Sequence, residues 1–250
     1  MKHLVLVHDA CHGGWSWYKI VNLLSSAGYR VTTLDLCGNL ESHEEDEIVS
    51  ISDYLQPLME FMSSFLQEER VILVGHGYGG VGVSLAMEKF PEKISVAVFV
   101  AAVMPSCRSP LIDVFEEFFT RAPVETLLDC EFSFDLGREN LPTSVILGPD
   151  FLLYEMYNCC PFEVIWILKW LPYWLSPLAL FFKDLTNEKV LSKEKFGSVN
   201  RVYIKCDHFQ RWMIDNSPTK DVKVIEGAHH MVMISKPNEL YECLKDIAGK

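Results

Sequence analysis

The segment Val71-Ile72-Leu73-Val74-Gly75-His76-Gly77-Tyr78-Gly79-Gly80 constrains the chain more than any other. Four consecutive apolar residues read as a strand buried on both faces. Glycines at 75, 77, 79 and 80 then impose a turn in which backbone approaches backbone. A helical pattern follows at once, over Tyr78–Phe90. The same alternation recurs along the chain. Leu4–His8, Arg30–Leu36, Ile94–Ala101, Arg201–Lys205 and Val222–Ile225 read as strands, and Ser16–Ala27, Ile51–Leu66 and Asn238–Ala248 as helices. Strands joined through helices imply an α/β fold, a mostly parallel central sheet with helices on both faces.

One stretch interrupts the pattern. From about 105 to 192 the chain carries prolines, aromatics and helical fragments with no clear strand. The expected organisation is one domain over 1–250, its core formed by 1–104 and 193–250, with an inserted helical cap at about 105–192. Such a cap covers the carboxyl edge of the sheet, where open α/β sheets hold ligands. The aromatic residues Trp166 and Trp170, with Tyr173, Trp174, Phe181 and Phe182, would line an apolar substrate cavity beneath it.

Composition narrows the partners. In 250 residues, 34 acids against 22 bases leave a formal charge of −12 and no basic face for nucleic acid. Two prolines and two charges within Phe162–Phe182 argue against a membrane span. The eight cysteines are scattered without a C-x-x-C pair, as in a protein of a reducing compartment. The expectation is a cytoplasmic protein that acts on a small apolar or carboxylated metabolite. No cofactor and no metal is expected, since the His208, His229, His230 and Asp207 cluster matches no standard ligand spacing. A homodimer remains among the expected states.

The glycine turn after Val74 has two readings. A dinucleotide fingerprint would need an acidic residue ending the next strand, but Val98–Ala102 is apolar. The better match is the G-x-S-x-G nucleophile elbow of α/β-hydrolases, whose central position bears the nucleophile. Here that position is Gly77, which has no side chain to acylate.

Around this elbow the chain resembles the plant methylesterase/hydroxynitrile lyase family of the α/β-hydrolase superfamily. The resemblance rests on Val5-Leu6-Val7-His8, Ala10-Cys11-His12-Gly13-Gly14-Trp15-Ser16-Trp17-Tyr18-Lys19, Leu34-Asp35-Leu36 and Val71–Gly80. It continues through Ala86-Met87-Glu88-Lys89, Phe196-Gly197-Ser198-Val199, Phe209–Ile214, Gly227-Ala228, His230-Met231 and Ser235-Lys236-Pro237. It implies an α/β-hydrolase fold, backbone N–H groups of Ala10 and Tyr78 as an oxyanion hole, and His230 as general base. It also places His12 in the turn beside the site.

Four departures from the family pattern shape the functional expectation. Gly77 replaces the serine, Asp9 replaces a glycine in the oxyanion turn, and His229 replaces the residue before the catalytic histidine, commonly an aspartate. The fourth is a loop shortened to Asp207-His208, with Asp207 as the substitute for the missing acid. Loss of a triad serine costs roughly six orders of magnitude, so acyl-enzyme hydrolysis is not expected. A glycine at 77 would instead enlarge the pocket floor. The serine-less methylketone synthases, which decarboxylate β-keto acids, resemble this arrangement. The resulting expectation is non-hydrolytic acid/base chemistry, a lyase or cyclase step, with His230, Asp9 and Asp207 as catalytic residues. Ala10, Gly77, Tyr78, His12, Trp166 and Trp170 would contact substrate. The competing readings are a non-catalytic small-molecule binder and an esterase that uses a His230-activated water.

Overall fold

A computed structural model describes residues 1–37, 50–161, 163–164, 178–187, 191–206 and 209–249. Six strands form one parallel sheet: β1 (His3–Val7), β2 (Arg30–Leu34), β3 (Val71–His76), β4 (Ile94–Val100), β8 (Arg201–Lys205) and β9 (Asp221–Val224). Their spatial order is β2-β1-β3-β4-β8-β9. The chain therefore moves outward from β1 to β2, then crosses back to β3 on the other side of β1. The carboxyl ends of β1 and β3 flank this change of direction, which is where open sheets of this kind open a crevice.

The apolar runs form strands because both faces of the sheet are covered. Leu4 and Leu6 of β1 pack on one side and Val5 and Val7 on the other, following the two-residue period of a strand. Helix α1 (Tyr18–Ser26) brings Ile20 and Leu24 to the first side, where Leu240, Leu244 and Ile247 of the C-terminal helix Pro237–Gly249 join them. On the second side, α3 (Gln56–Ser64) and α4 (Gly79–Lys89) contribute Leu58, Met62, Val83 and Met87. Where the sequence pattern suggests one helix over Ile51–Leu66, the structure has two. The first, α2 (Ile51–Tyr54), stops before Pro57, which has no N–H to offer the carbonyl of Asp53 and starts α3 instead.

The segment between β4 and β8 holds the helix α5 (Asp113–Arg121) and the helix Phe182–Asn187. It also holds three short strands that the sequence pattern did not announce. These are β5 (Glu131–Ser133), β6 (Ser144–Ile146) and β7 (Leu178–Ala179), an antiparallel sheet. Strands of two and three residues are too short to show a period. Several hydrogen bonds tie the cap to the core. The Tyr78 hydroxyl donates to the carbonyl of Leu180 at 2.9 Å, and the Ile51 N–H donates to the Asp184 carboxylate at 2.9 Å. The Phe115 and Phe182 rings, 4.7 Å apart, fill the space between α5 and the helix Phe182–Asn187. Among the described residues, no helix is long and apolar enough to cross a membrane.

The elbow glycines are close-packed. A side-chain carbon at Gly80 would collide with the carbonyl oxygen of Val103, and one at Gly79 would lie 2.5 Å from the carbonyl oxygen of His8. Neither obstacle is a flexible side chain, so neither can yield. Gly80→Ala is expected to destabilise the fold by about 3 kcal/mol, the upper range for overpacking. Gly249→Ala, where a side-chain carbon meets nothing, should leave stability unchanged. Urea denaturation of both variants checks the contrast.

Candidate active site

The register of β1 against β3 pairs Val7 with Gly75. Two residues further along each strand, Asp9 and Gly77 stand opposite one another at the carboxyl edge. Gly77 has φ +53°, the left-handed backbone of a sharp strand-to-helix turn, which glycine adopts without a steric penalty. A side-chain carbon at 77 would overlap the carboxyl group of Asp9. The missing side chain therefore does not open the pocket floor, contrary to the expectation from sequence. Asp9 fills that space.

Asp9 is buried, with 6% of its surface exposed. Its carboxylate oxygens have different partners. Oδ1 accepts the backbone N–H of Ala10 at 2.8 Å and that of Tyr78 at 2.5 Å. Oδ2 accepts from Nε2 of His230 at 2.6 Å. The two N–H groups expected to form an oxyanion hole do converge, and their target is an oxygen the protein supplies itself. Tyr78 directly precedes α4, so the positive end of that helix also faces the anion.

Burial alone would push the Asp9 carboxyl up. The hydrogen bond and charge of His230, with His76 and His12 behind it, outweigh burial and hold Asp9 well below the usual carboxylate range. Asp9 is thus an anion held by three donors. Its partner His230 is more open, with 26% of its side chain exposed, and reaches the site on the segment after β9. Nε2–H of His76 donates to the His230 carbonyl at 2.9 Å and fixes that segment against the end of β3. Burial, and then the charge of His230, press His76 down to about 3, so it stays neutral.

The other histidines of the turn are bonded within the protein. His8 donates from Nδ1 to the carbonyl of Asp9 at 2.6 Å and accepts the Leu36 N–H at Nε2 at 3.0 Å. His12 bonds the carbonyl of Ala10 through Nδ1 and the hydroxyl of Tyr157 through Nε2, each at 2.7 Å. His12, expected beside substrate, therefore has both ring nitrogens engaged and braces the turn that presents Ala10. Burial lowers the pKa of both rings.

The structure brings together Asp9, Ala10, Gly77, Tyr78 and His230. Asp207, Trp166 and Trp170 lie outside the described residues. Two residues that sequence reading missed stand close by. Tyr157 anchors His12, and Tyr54 has a buried hydroxyl with no hydrogen-bond partner among the described residues. No motif marks either tyrosine.

Asp9, His76 and His230 each offer a potential ligand atom, and these atoms lie within 4.8 Å of one another. The 2.6 Å between Oδ2 and Nε2 suits a shared proton. Two ligands on one ion with bonds of about 2.0–2.1 Å would stand roughly 3 Å apart.

These contacts make acid sensitivity a direct expectation. His8, His12 and His76 have pKa values lowered in the folded state, so the stability they contribute is complete above the ordinary histidine pKa of about 6.5. It is lost as pH falls through their folded values, down to about 3 for His76. Unfolding free energy should decline below pH 6.5 with a slope steeper than the roughly 1.4 kcal/mol per pH unit of a single proton. Denaturant midpoints across that range test it.

A second expectation concerns the Asp9–Gly77 contact. Gly77→Ser alone should destabilise the fold and produce no esterase. Gly77→Ser combined with Asp9→Gly should recover most of the lost stability. A double-mutant cycle should give a coupling of about 1–3 kcal/mol.

The model of the alpha/beta hydrolase family matches residues 4–242. Methyl jasmonate esterase 1 of Vitis vinifera is 46% identical over 98% of this chain and 96% of its own length. The crystal structure of polyneuridine aldehyde esterase superposes with a TM-score of 0.90 at 42% identity, covering 99% of both chains. A variant of tomato methylketone synthase I in complex with β-ketoheptanoate superposes with a TM-score of 0.86 at 41% identity, covering 99% of this chain and 98% of the other.

Proposed function

The chain belongs to the alpha/beta hydrolase family, in its plant methylesterase group, and we propose that it performs non-hydrolytic acid/base chemistry through His230 and Asp9, with decarboxylation of a β-keto acid as the most concrete form. The observation that supports this reading is the Asp9 carboxylate bonded between the paired N–H groups and His230. Ester hydrolysis by an acyl-enzyme needs a nucleophile on the elbow and a vacant hole for the substrate oxyanion. Gly77 supplies no nucleophile, and Asp9 Oδ1 occupies the hole.

Decarboxylation needs neither. The bond to the carboxyl carbon breaks, its electron pair forms the enol double bond, and CO2 departs. The keto oxygen takes the Nε2 proton of a protonated His230. The enol then takes a proton from solvent at carbon and returns its O–H proton to Nε2 of His230, which leaves the ketone and a protonated His230. Asp9 keeps the imidazolium paired before the proton is delivered. The pair is together neutral, so it does not repel a substrate carboxylate as a lone Asp9 would. The structural likeness to a methylketone synthase crystallised with a β-keto acid supports the substrate class.

The test is product formation from medium-chain β-keto acids by mass spectrometry, with the spontaneous rate subtracted. Wild type should release the methyl ketone. His230→Ala should lose about 10²–10⁴ in rate, the range for a general acid. Methyl esters should remain intact. Equal rates for wild type and His230→Ala, or histidine-dependent ester cleavage, would overturn the reading.

A further inference from the structure

The chain carries a net charge of −12, yet the charged side chains lining one of its cavities are all cations. The cavity measures about 300 Å³, at the small end of the range for ligand pockets. Arg108, Lys193 and Arg201 line it, and no acidic side chain does. None of its lining residues belongs to the site around Asp9 and His230.

Its place in the fold is particular. Ser106 to Arg108 lie where the chain leaves β4 for the cap, and Lys193 and Gly197 where it returns toward β8. A side-chain carbon on Gly197 would lie 3.5 Å from Cβ of Lys193 and 4.0 Å from Sγ of Cys107, so the outgoing and returning segments pack side by side. Arg201 opens β8, and Asn216 to Pro218 end the helix Phe209–Asn216 and begin the turn after it.

The lining is held in position. Ser106 Oγ accepts the Arg108 N–H at 3.1 Å and donates to the carbonyl of Asn216 at 3.1 Å. The Arg201 guanidinium stands 4.5 Å from the centre of the Phe196 ring. Its Nη1 donates to Ser217 Oγ at 3.4 Å and its Nη2 to the Pro218 carbonyl at 3.2 Å. Ser217 is buried, and among the described residues no acceptor takes its hydroxyl hydrogen.

These cations lack counter-charges. Among the described residues no carboxylate pairs with Arg108, Lys193 or Arg201. Nearby acids are engaged elsewhere: Asp215 pairs with Arg211, and Glu88 accepts from Ser192 and from the Phe196 N–H. Burial strips water from Arg201 and lowers its pKa. A cation held out of water is costly unless an anion joins it.

We propose that this cavity binds a phosphate group, free or as the monoester of a small molecule, and that the bound group clamps the two ends of the cap to the core. The site is separate from the proposed decarboxylation, and either can exist without the other.

The ligand class follows from the donors. Three cations from three segments suit an anion with oxygens on several sides. A phosphate monoester presents three strong acceptor oxygens and close to two charges. A carboxylate presents two oxygens in one plane. Guanidinium groups take phosphate oxygens in pairs, and an ammonium group adds a point charge. The Ser217 hydroxyl adds a neutral donor beside Arg201. An anion bonded to Arg108 and Lys193 together links the segment entering the cap with the one leaving it, and Arg201 joins both to β8.

The experiment is calorimetric titration of the full chain with inorganic phosphate, phenyl phosphate and benzoate, with hydrogen–deuterium exchange read with and without each. Wild type should bind phosphate, and benzoate about tenfold more weakly or not at all. Exchange should slow at Ser106–Arg108 and around Lys193 and Gly197. Tighter binding of phenyl phosphate would assign a monoester as the ligand, and equal or weaker binding the free ion. Arg201→Gln should weaken binding by about 10–100-fold. Because Arg201 also packs on Phe196, the exposed pair Arg108→Glu and Lys193→Glu, checked for native circular dichroism, should lose binding as well. The proposal is overturned by no binding of either phosphate, by benzoate bound as tightly as phenyl phosphate, or by affinity that survives the charge reversal. Slowed exchange centred on Ala10 and Tyr78 would also overturn it, since the anion would then occupy the other site.

Discussion

The site depends on a buried carboxylate that has three donors and no freedom to leave them. Asp9 takes the Ala10 and Tyr78 N–H groups on one oxygen and His230 on the other. Stripping a carboxylate of water is costly unless its charge is fully bonded. Each element around Asp9 serves that end. Parallel pairing of β1 and β3 sets Asp9 beside the elbow. The start of α4 points its N–H dipoles at the same oxygen. His76 holds the His230 segment close, and His12 with Tyr157 fixes the turn carrying Ala10.

Seen this way, the two departures in the sequence form one exchange. Loss of the side chain at 77 and gain of a carboxylate at 9 occupy the same volume, since a side-chain carbon on Gly77 would overlap Asp9. A polar group still stands between the paired N–H donors and the histidine, but it now comes from the first strand's turn and carries a permanent charge. An alcohol in that place attacks carbonyl groups. A carboxylate fixed there pairs with His230 instead. The polar group at the site changes while the fold, the elbow and the histidine stay.

Much of this was legible in sequence, for identifiable reasons. β1, β3 and most of β4 are buried on both faces, so each reads as a largely apolar run. Gly77 and Asp9 stood out because the elbow pattern demands particular residue types at particular places. Their contact was not readable, because it depends on strand register, which a one-residue slip would undo. That is why Gly77 looked like an enlarged floor. Strands β5 to β7 escaped notice because Glu131-Phe132-Ser133 and its partners are too short to alternate. Tyr54 and Tyr157 gave no signal at all. Their importance comes from what lies near them in space, and neither sits in a spacing that chemistry imposes.

The proton between Asp9 and His230 is open to direct observation by nuclear magnetic resonance. With selectively labelled histidine, the Nε2 proton of His230 should resonate far downfield and exchange slowly with water, as expected for a short bond to a buried carboxylate. It should vanish in Asp9→Asn while the other histidine signals persist. A His230 ring proton that exchanges freely in the wild type, or a downfield signal that survives in Asp9→Asn, would contradict a carboxylate bonded to His230 in this way.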